Sequence, residues 1–241
     1  MTAEERSEDK KKVMDPVVSV CTPTGNRSKF INAMIQNMKR QDFPPYLMEW
    51  LIVEDGSEDM YAKMLPGLKT LPKDLRVRHF YLGSDRMPVG QKRNVTNALA
   101  KGQILVYMDD DDIYSPQRVS HCVETLNLHP NIDVVGSSVL HILFTDTGLI
   151  REFGPYGPNH ATGGTMAFRR RLLAHTRFDE TKTHAEEKSF LRNYSIPMAQ
   201  LNPFKCILCI SHKTNTFDKK KIRHNGLPTE LRVTKWLNPV T

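Results

Sequence analysis

From residue 16 onward, two rhythms of apolar residues take turns along the chain. "PVVSVCT" (16–22) is a continuous, β-branched run, the pattern of a strand buried on both faces. Phe30, Ile31, Met34, Ile35 and Met38 then recur at helical spacing and predict an amphipathic helix to about Arg40. "EWLIVED" (49–55) reads as a second buried strand, closed by the turn formers Gly56 and Ser57. A helix over about 59–69, a strand through "RVRHFYL" (76–82), a helix over about 91–101 and a strand in "QILVYM" (103–108) follow. Ser115 and Pro116 supply a helix start, and Val119, Cys122, Val123 and Leu126 form that helix's apolar stripe. This alternation predicts an α/β fold, a doubly wound and mostly parallel sheet with helices on both faces. Ligands of such sheets sit beyond the carboxyl ends of the strands. The polar clusters Thr22 to Arg27, Glu54-Asp55 and Asp109 to Asp112 each follow a predicted strand, so they should converge on one rim.

The second half is less regular and predicts a smaller, mixed portion. "IDVVGSSVLHILFTDTGLIREFG" (132–154) reads as two strands joined as a hairpin through "TDTG". "HATGGTMAFRRRL" (160–172) starts with a flexible glycine pair and ends in a short helix; 183–194 reads as helix and 204–212 as a final strand. There is no internal repeat and no linker. The expected organisation is a charged, disordered leader over 1–14, one domain over 15–218 and a basic C-terminal tail over 219–241. Both a whole protein and a domain of a longer one remain open.

Composition narrows the class. Hydrophobic residues at 39% and charged residues at 25% are enough for a core without being membrane-like. No apolar run approaches the ~18–20 residues of a membrane span, and the charged N-terminus lacks the apolar stretch of a secretory signal. Cys21, Cys122, Cys206 and Cys209 are scattered in apolar company, as suits reduced thiols in a cytoplasmic setting, a host's cytosol included. "CILC" (206–209) has half the spacing of a zinc site, but no second such pair exists. The net charge of +7 points to an anionic partner: nucleic acid, an acidic membrane or a phosphorylated small molecule. The basic tail is a candidate contact for a membrane surface or a partner domain.

"ILVYMDDDDIYSP" (104–116) carries the chemistry. Four carboxylates at the end of a buried strand repel one another unless a divalent cation neutralises them, and oxygen ligands suit Mn²⁺ or Mg²⁺. Favourable placement at a helix start would account for Asp112 alone. Lys92, Arg93 and Asn94 open the preceding helix, where the dipole disfavours cations unless a diphosphate lies beside them.

Taken in order, "VSVCTPTGNR", "LIVEDGSED", "GQKRNVTNALAKGQILVYMDDDDIYSPQRV", "GGTMAFRR" and "AEEKSFL" resemble the successive motifs of family 2 glycosyltransferases of the GT-A fold. The resemblance implies a metal-dependent, inverting transfer of sugar from a UDP- or GDP-linked donor to a glycan or other hydroxyl acceptor. It places Thr22, Pro23, Thr24 and Arg27 at the nucleotide, with Glu54 and Asp55 reaching the base; simple turn chemistry is the alternative for that pair. Lys92, Arg93 and Asn94 fall at the diphosphate. Asp109 and Asp111 take the two acidic positions of the DxD motif, with Asp110 at the ribose, and the run of four leaves the register open by one residue. His212 matches a further metal ligand, although a lone histidine is also a common structural residue. Glu187, or its neighbour Glu186, matches the general base; two solvated helix glutamates are the plain alternative. Gly163 and Gly164 fall in the acceptor-side loop, where small residues let backbone approach sugar. Competing classes are a nucleotidyltransferase, which lacks its glycine- and lysine-rich loop here, and a non-enzymatic nucleic-acid-binding module. No nucleic-acid partner is expected.

Overall fold

The computed structural model describes residues 16–215 and 217–238; the expected leader lies outside them. In the first half β1 (Val18–Thr24), α1 (Ile31–Lys39), β2 (Met48–Glu54), α2 (Tyr61–Leu68), β3 (Arg76–Tyr81), α3 (Val89–Leu99) and β4 (Ile104–Tyr107) alternate as the apolar rhythm predicts. The two-residue β5 (Ile113–Tyr114) and α4 (Arg118–Leu128) follow. β1 runs parallel to both β2 and β4, with Val20 level with Trp50 and Val106, and β2 runs parallel to β3. The continuous apolar runs are explained by burial on both faces: every residue of β2 and β4 is buried. α1 turns Ile31, Met34, Ile35 and Met38 into the core.

The second half comprises β6 (Val134–Gly136), β7 (Leu140–Phe144), β8 (Leu149–Phe153), β9 (Ala167–Arg169), α5 (Glu187–Phe190), β10 (Met198–Gln200), β11 (Ile207–Ser211), β12 (Leu227–Pro228) and α6 (Thr234–Leu237). One sheet has seven strands in the order β10-β6-β9-β4-β1-β2-β3; the other has five, β12-β8-β7-β11-β5. The first is mostly parallel, but β9 enters it antiparallel to both β4 and β6.

Four expectations change. The hairpin is β7–β8 alone; Val134–Gly136, expected in its first strand, belongs to the other sheet. The stretch 160–172 does run into a short helix, the 3-10 helix Arg170–Ala174, but a strand not expected there, β9, precedes it, and the glycine pair is itself in a 3-10 turn. The helix expected over 183–194 is only Glu187–Phe190, bounded by left-handed residues at Ala185 and at Arg192, Asn193 and Tyr194. Segment 219–238, expected as a tail, includes a 3-10 helix (Lys219–Asn225) and the fully buried Trp236, which packs against His141 and Phe204.

Cys206 and Cys209, three apart in extended chain, meet different partners. The Cys206 sulfur lies 3.6 Å from Arg118 Nη1, and the Cys209 thiol donates to Asp112 Oδ2 at 3.6 Å. All four cysteines are free and buried. No helix among the described residues is long and apolar enough to cross a membrane.

Candidate active site

Because β1 and β4 run parallel and side by side, their carboxyl ends open on one edge. A cavity of about 770 Å³ lies there, lined on one wall by Pro23, Thr24 and Arg27 and on its floor by Asp109 to Asp112. On the facing wall it meets Gly163, Gly164, Glu186 and Glu187.

The four consecutive carboxylates leave the strand in different directions. Asp109 Oδ1 accepts from Arg93 Nη2 at 3.3 Å, and Asp110 Oδ2 accepts from Thr24 Oγ1 at 2.5 Å. Asp111 Oδ2 accepts from Arg27 Nη1 at 2.8 Å and faces His212 Nε2 at 3.1 Å. Asp112 turns back into the fold, where its Oδ1 accepts from the backbone of Ile210 at 2.7 Å. Burial and the neighbouring Asp111 charge push Asp110 up to about 7, and burial likewise brings Asp112 to about 7 against the pull of Lys219. Burial also raises Asp109. Asp111 is opposite: burial is outweighed by the His212 hydrogen bond and by Lys219 and Arg27, which hold it at about 2. Even with these cations nearby, the cluster is short of positive charge.

His212 is served in either tautomer. Its Nδ1 can accept from the Thr214 backbone at 3.2 Å, leaving a proton on Nε2 for Asp111. Alternatively Nδ1 can donate to Thr214 Oγ1 at 3.0 Å, freeing the Nε2 lone pair. A ligand role requires the second form.

Arg93 joins the two walls. Its Nε donates to Glu186 Oε1 at 2.6 Å, while its guanidinium lies 4.4 Å from the Tyr107 ring centroid. Arg93 Nη1 is buried and has no partner among the described residues. Glu186 is thereby engaged. Glu187 has no such partner among the described residues: burial, then the Glu186 charge, raises its pKa from the ordinary 4.5 to about 7. The two glycines permit this closeness. A Cβ on Gly163 would stand 2.8 Å from Arg93 Nη2, and one on Gly164 2.7 Å from Asp109 Oδ2.

Beneath both walls lies Arg118, with no exposed surface. Its Nη2 donates to the carbonyls of Tyr107 at 3.2 Å, Gly164 at 3.4 Å and Met166 at 3.0 Å. One buried guanidinium therefore pins the end of β4 to the glycine loop.

Of the other expected site residues, Lys92 lines the cavity and the rest lie behind it. Thr22 is buried and accepts from Trp50 Nε1 at 3.0 Å. Glu54 accepts from the Met60 backbone at the start of α2 and meets His79 Nε2 at 2.7 Å. With Asp59 these two form a carboxylate–imidazole group whose ligand atoms lie within 4.8 Å of one another. Asp55 binds Lys92 Nζ at 2.5 Å, Arg86 Nε at 3.1 Å and the Met87 backbone at 2.7 Å. Lys92 lines the cavity, but it also donates to the Thr24 carbonyl at 2.7 Å and so ties β1 to β2. Asn94 holds both backbone groups of Phe178, at 2.9 and 3.0 Å.

Sequence reasoning missed Arg86, Met87 and Lys219, which line the cavity. Arg86 and Met87 sit in the loop after β3, whose position at the strand-end edge was the available signal. Lys219 lay in a basic run that reads as solvated surface.

The family described as "Glycosyl transferase family 2" matches residues 19–178, and the chain belongs to it. Among curated proteins, poly(ribitol-phosphate) beta-N-acetylglucosaminyltransferase TarS of Staphylococcus aureus (strain Mu50 / ATCC 700699) is 25% identical over 111 residues. That alignment covers 46% of this chain and only 19% of the relative, so the chain spans about a fifth of that protein's length. Among solved structures, S. aureus TarS 1–349 in complex with UDP-GlcNAc superposes with a TM-score of 0.64 at 19% identity, covering 83% of this chain and 60% of that one. The mannosyltransferase PcManGT from Pyrobaculum calidifontis, in complex with GDP-Man and Mn²⁺, gives 0.65 at 18% identity, covering 84% and 59%. The fold is that of the GT-A glycosyltransferases.

Proposed function

We propose that this protein moves a sugar from a UDP- or GDP-linked donor to an acceptor hydroxyl with inversion, in a reaction that depends on Mn²⁺ or Mg²⁺. One observation carries the reading: strand-end aspartates, the cations Arg27 and Arg93, and a carboxyl of raised pKa share one cavity. Family membership favours it over a nucleotidyltransferase or a nucleic-acid-binding module. The solved complexes with UDP-GlcNAc, and with GDP-Man and Mn²⁺, support the donor class.

The donor set fits a hard divalent ion: carboxylates of Asp109 and Asp111, with His212 Nε2 beside them, in a cluster short of positive charge. When bound, such an ion supplies charge stabilisation to the departing diphosphate. The residues of the chain do the rest. Pro23 and Thr24 bound the nucleoside end, and Arg27 and Lys219 stand where negative charge develops. Glu187, with its pKa at about 7, accepts the acceptor's hydroxyl proton. The new bond from the acceptor oxygen to the sugar's anomeric carbon forms opposite the breaking bond, whose electron pair leaves on the phosphate oxygen. Glu186 is less suited to this task because Arg93 already occupies its oxygen.

The test is consumption of a panel of UDP- and GDP-sugars with and without MnCl₂, with product anomers assigned by proton NMR. Metal-dependent consumption and an inverted product are expected. Equal consumption after EDTA treatment would remove the metal, and a retained anomer would remove Glu187 as base.

A further inference from the structure

Beyond Glu187, three rings stand in a row, and the first two of them line the cavity. The ring centroids of Tyr156 and His160 are 4.8 Å apart, and those of His160 and Tyr194 4.7 Å. Tyr156 and His160 line the same cavity as Glu187, yet Tyr156 keeps 54% of its surface open. His160 Nδ1 is buried and unpartnered among the described residues. Burial lowers the pKa of this imidazole, so it presents a neutral ring at neutral pH.

The row is held in place. The Tyr156 backbone donates to the Ser138 carbonyl at 3.3 Å, and Gln200 Nε2 donates to the carbonyls of Pro158 and His160 at 2.8 and 3.1 Å. Tyr194 closes the left-handed run Arg192–Asn193–Tyr194, with φ of 49°, 55° and 60°, and Ala185 at 52° stands on the other side of α5. Backbone of this kind is unfavourable for residues with a side chain and persists where the surroundings require it. Here it fastens the short helix that carries Glu187, and the Glu187 charge joins burial in raising the Tyr194 phenol.

The half-exposed Tyr156 ring, backed by the His160 imidazole and opening on the cavity of Glu187, suits a ligand with one flat C–H surface and hydroxyls at its rim. A sugar ring has that shape. A linear polyol offers no fixed face, and a simple lipid alcohol has no ring to lay on the aromatic surface. We propose that the Tyr156–His160–Tyr194 row is the acceptor platform and takes a carbohydrate ring, setting one ring hydroxyl toward Glu187. The proposal rests on the transferase reading above.

The experiment is saturation-transfer NMR on the full chain with UDP and Mg²⁺. The probes are the methyl glycosides of glucose, galactose, mannose, N-acetylglucosamine and rhamnose, with ribitol and octanol for comparison. At least one glycoside should receive saturation chiefly on its ring C–H protons. Relative to the UDP signal of the same sample, Tyr156→Ala should weaken that glycoside signal about 5- to 10-fold, while Tyr156→Phe retains it. The proposal is overturned if no glycoside binds, if ribitol or octanol binds as well, or if Tyr156→Ala leaves the ratio unchanged. Failure of the transferase reading looks different: UDP itself then shows no saturation, whatever the glycosides do.

Discussion

Replacing Glu187 by Gln should trade activity for stability, and the trade should depend on pH. The carboxyl's pKa rises from 4.5 to about 7 on folding, because the cavity desolvates it beside Glu186. The folded protein therefore holds this proton more tightly than the unfolded chain. Below pH 4.5 the group is neutral in both states and the ionisation penalty is absent; as pH rises through 7 the penalty is imposed in full. At about 1.36 kcal/mol per pH unit the ceiling is about 3.4 kcal/mol. Glu187 is only half-buried, so solvent screening reduces this to about 1–2 kcal/mol. For a domain of this size that is a melting temperature about 3–6 °C higher for Glu187→Gln at pH 8, with a much smaller gain at pH 5. Transfer to acceptor should fall about 10²- to 10⁴-fold in the same variant while UDP still binds. Thermal melts of both proteins at pH 5 and pH 8, with transfer assayed in parallel, test this. An equal melting difference at both pH values would refute the desolvated carboxyl, and near-full transfer would refute its role as base.

Asp111→Asn should abolish metal-dependent turnover and the Mn²⁺-dependent heat of UDP binding in calorimetry, with an unchanged circular dichroism spectrum. Gly164→Ala places a methyl 2.7 Å from Asp109 Oδ2 and 3.1 Å from Tyr114 Oη, so the Mn²⁺ concentration giving half-maximal activity should rise about 10-fold. Arg118→Met removes a donor from three backbone carbonyls, of which Gly164 keeps the Tyr114 hydroxyl and Met166 the Tyr107 N–H, and should lower the urea-unfolding free energy by about 1–2 kcal/mol.

The residues that wrote themselves plainly into the sequence are those whose surroundings are uniform along an element. β1, β2 and β4 lie between helical layers and are apolar through most of their length, the buried Ser19 and Glu49 bonding each other, and α1 carries a buried stripe of Ile31, Met34, Ile35 and Met38. Short elements whose form depends on distant contacts were not legible. β9 has three residues and exists because β4 and β6 flank it, and α5 stops after one turn because the chain there enters the left-handed region. At the cavity, residue type announced a cluster of carboxylates but not its directions. That Asp112 faces the Ile210 backbone while Asp111 faces Arg27 and His212 follows from the position of β11, which alternation in the first half does not encode. Glu54 shows the same limit. A carboxylate after β2 reads equally as nucleotide contact or turn, and the contacts it makes are to the start of α2 and to His79.

The position of β9 bears on how such a chain is made. Until residues 167–169 leave the ribosome, the nascent sheet ends at β4, a bare hydrophobic border with unsatisfied amides, and β6 has no neighbour to join it to the rest. A fragment ending shortly before that point would carry all four aspartates yet expose an adhesive margin, and should precipitate. Three residues act as the keystone that lets two separately written halves become one protein.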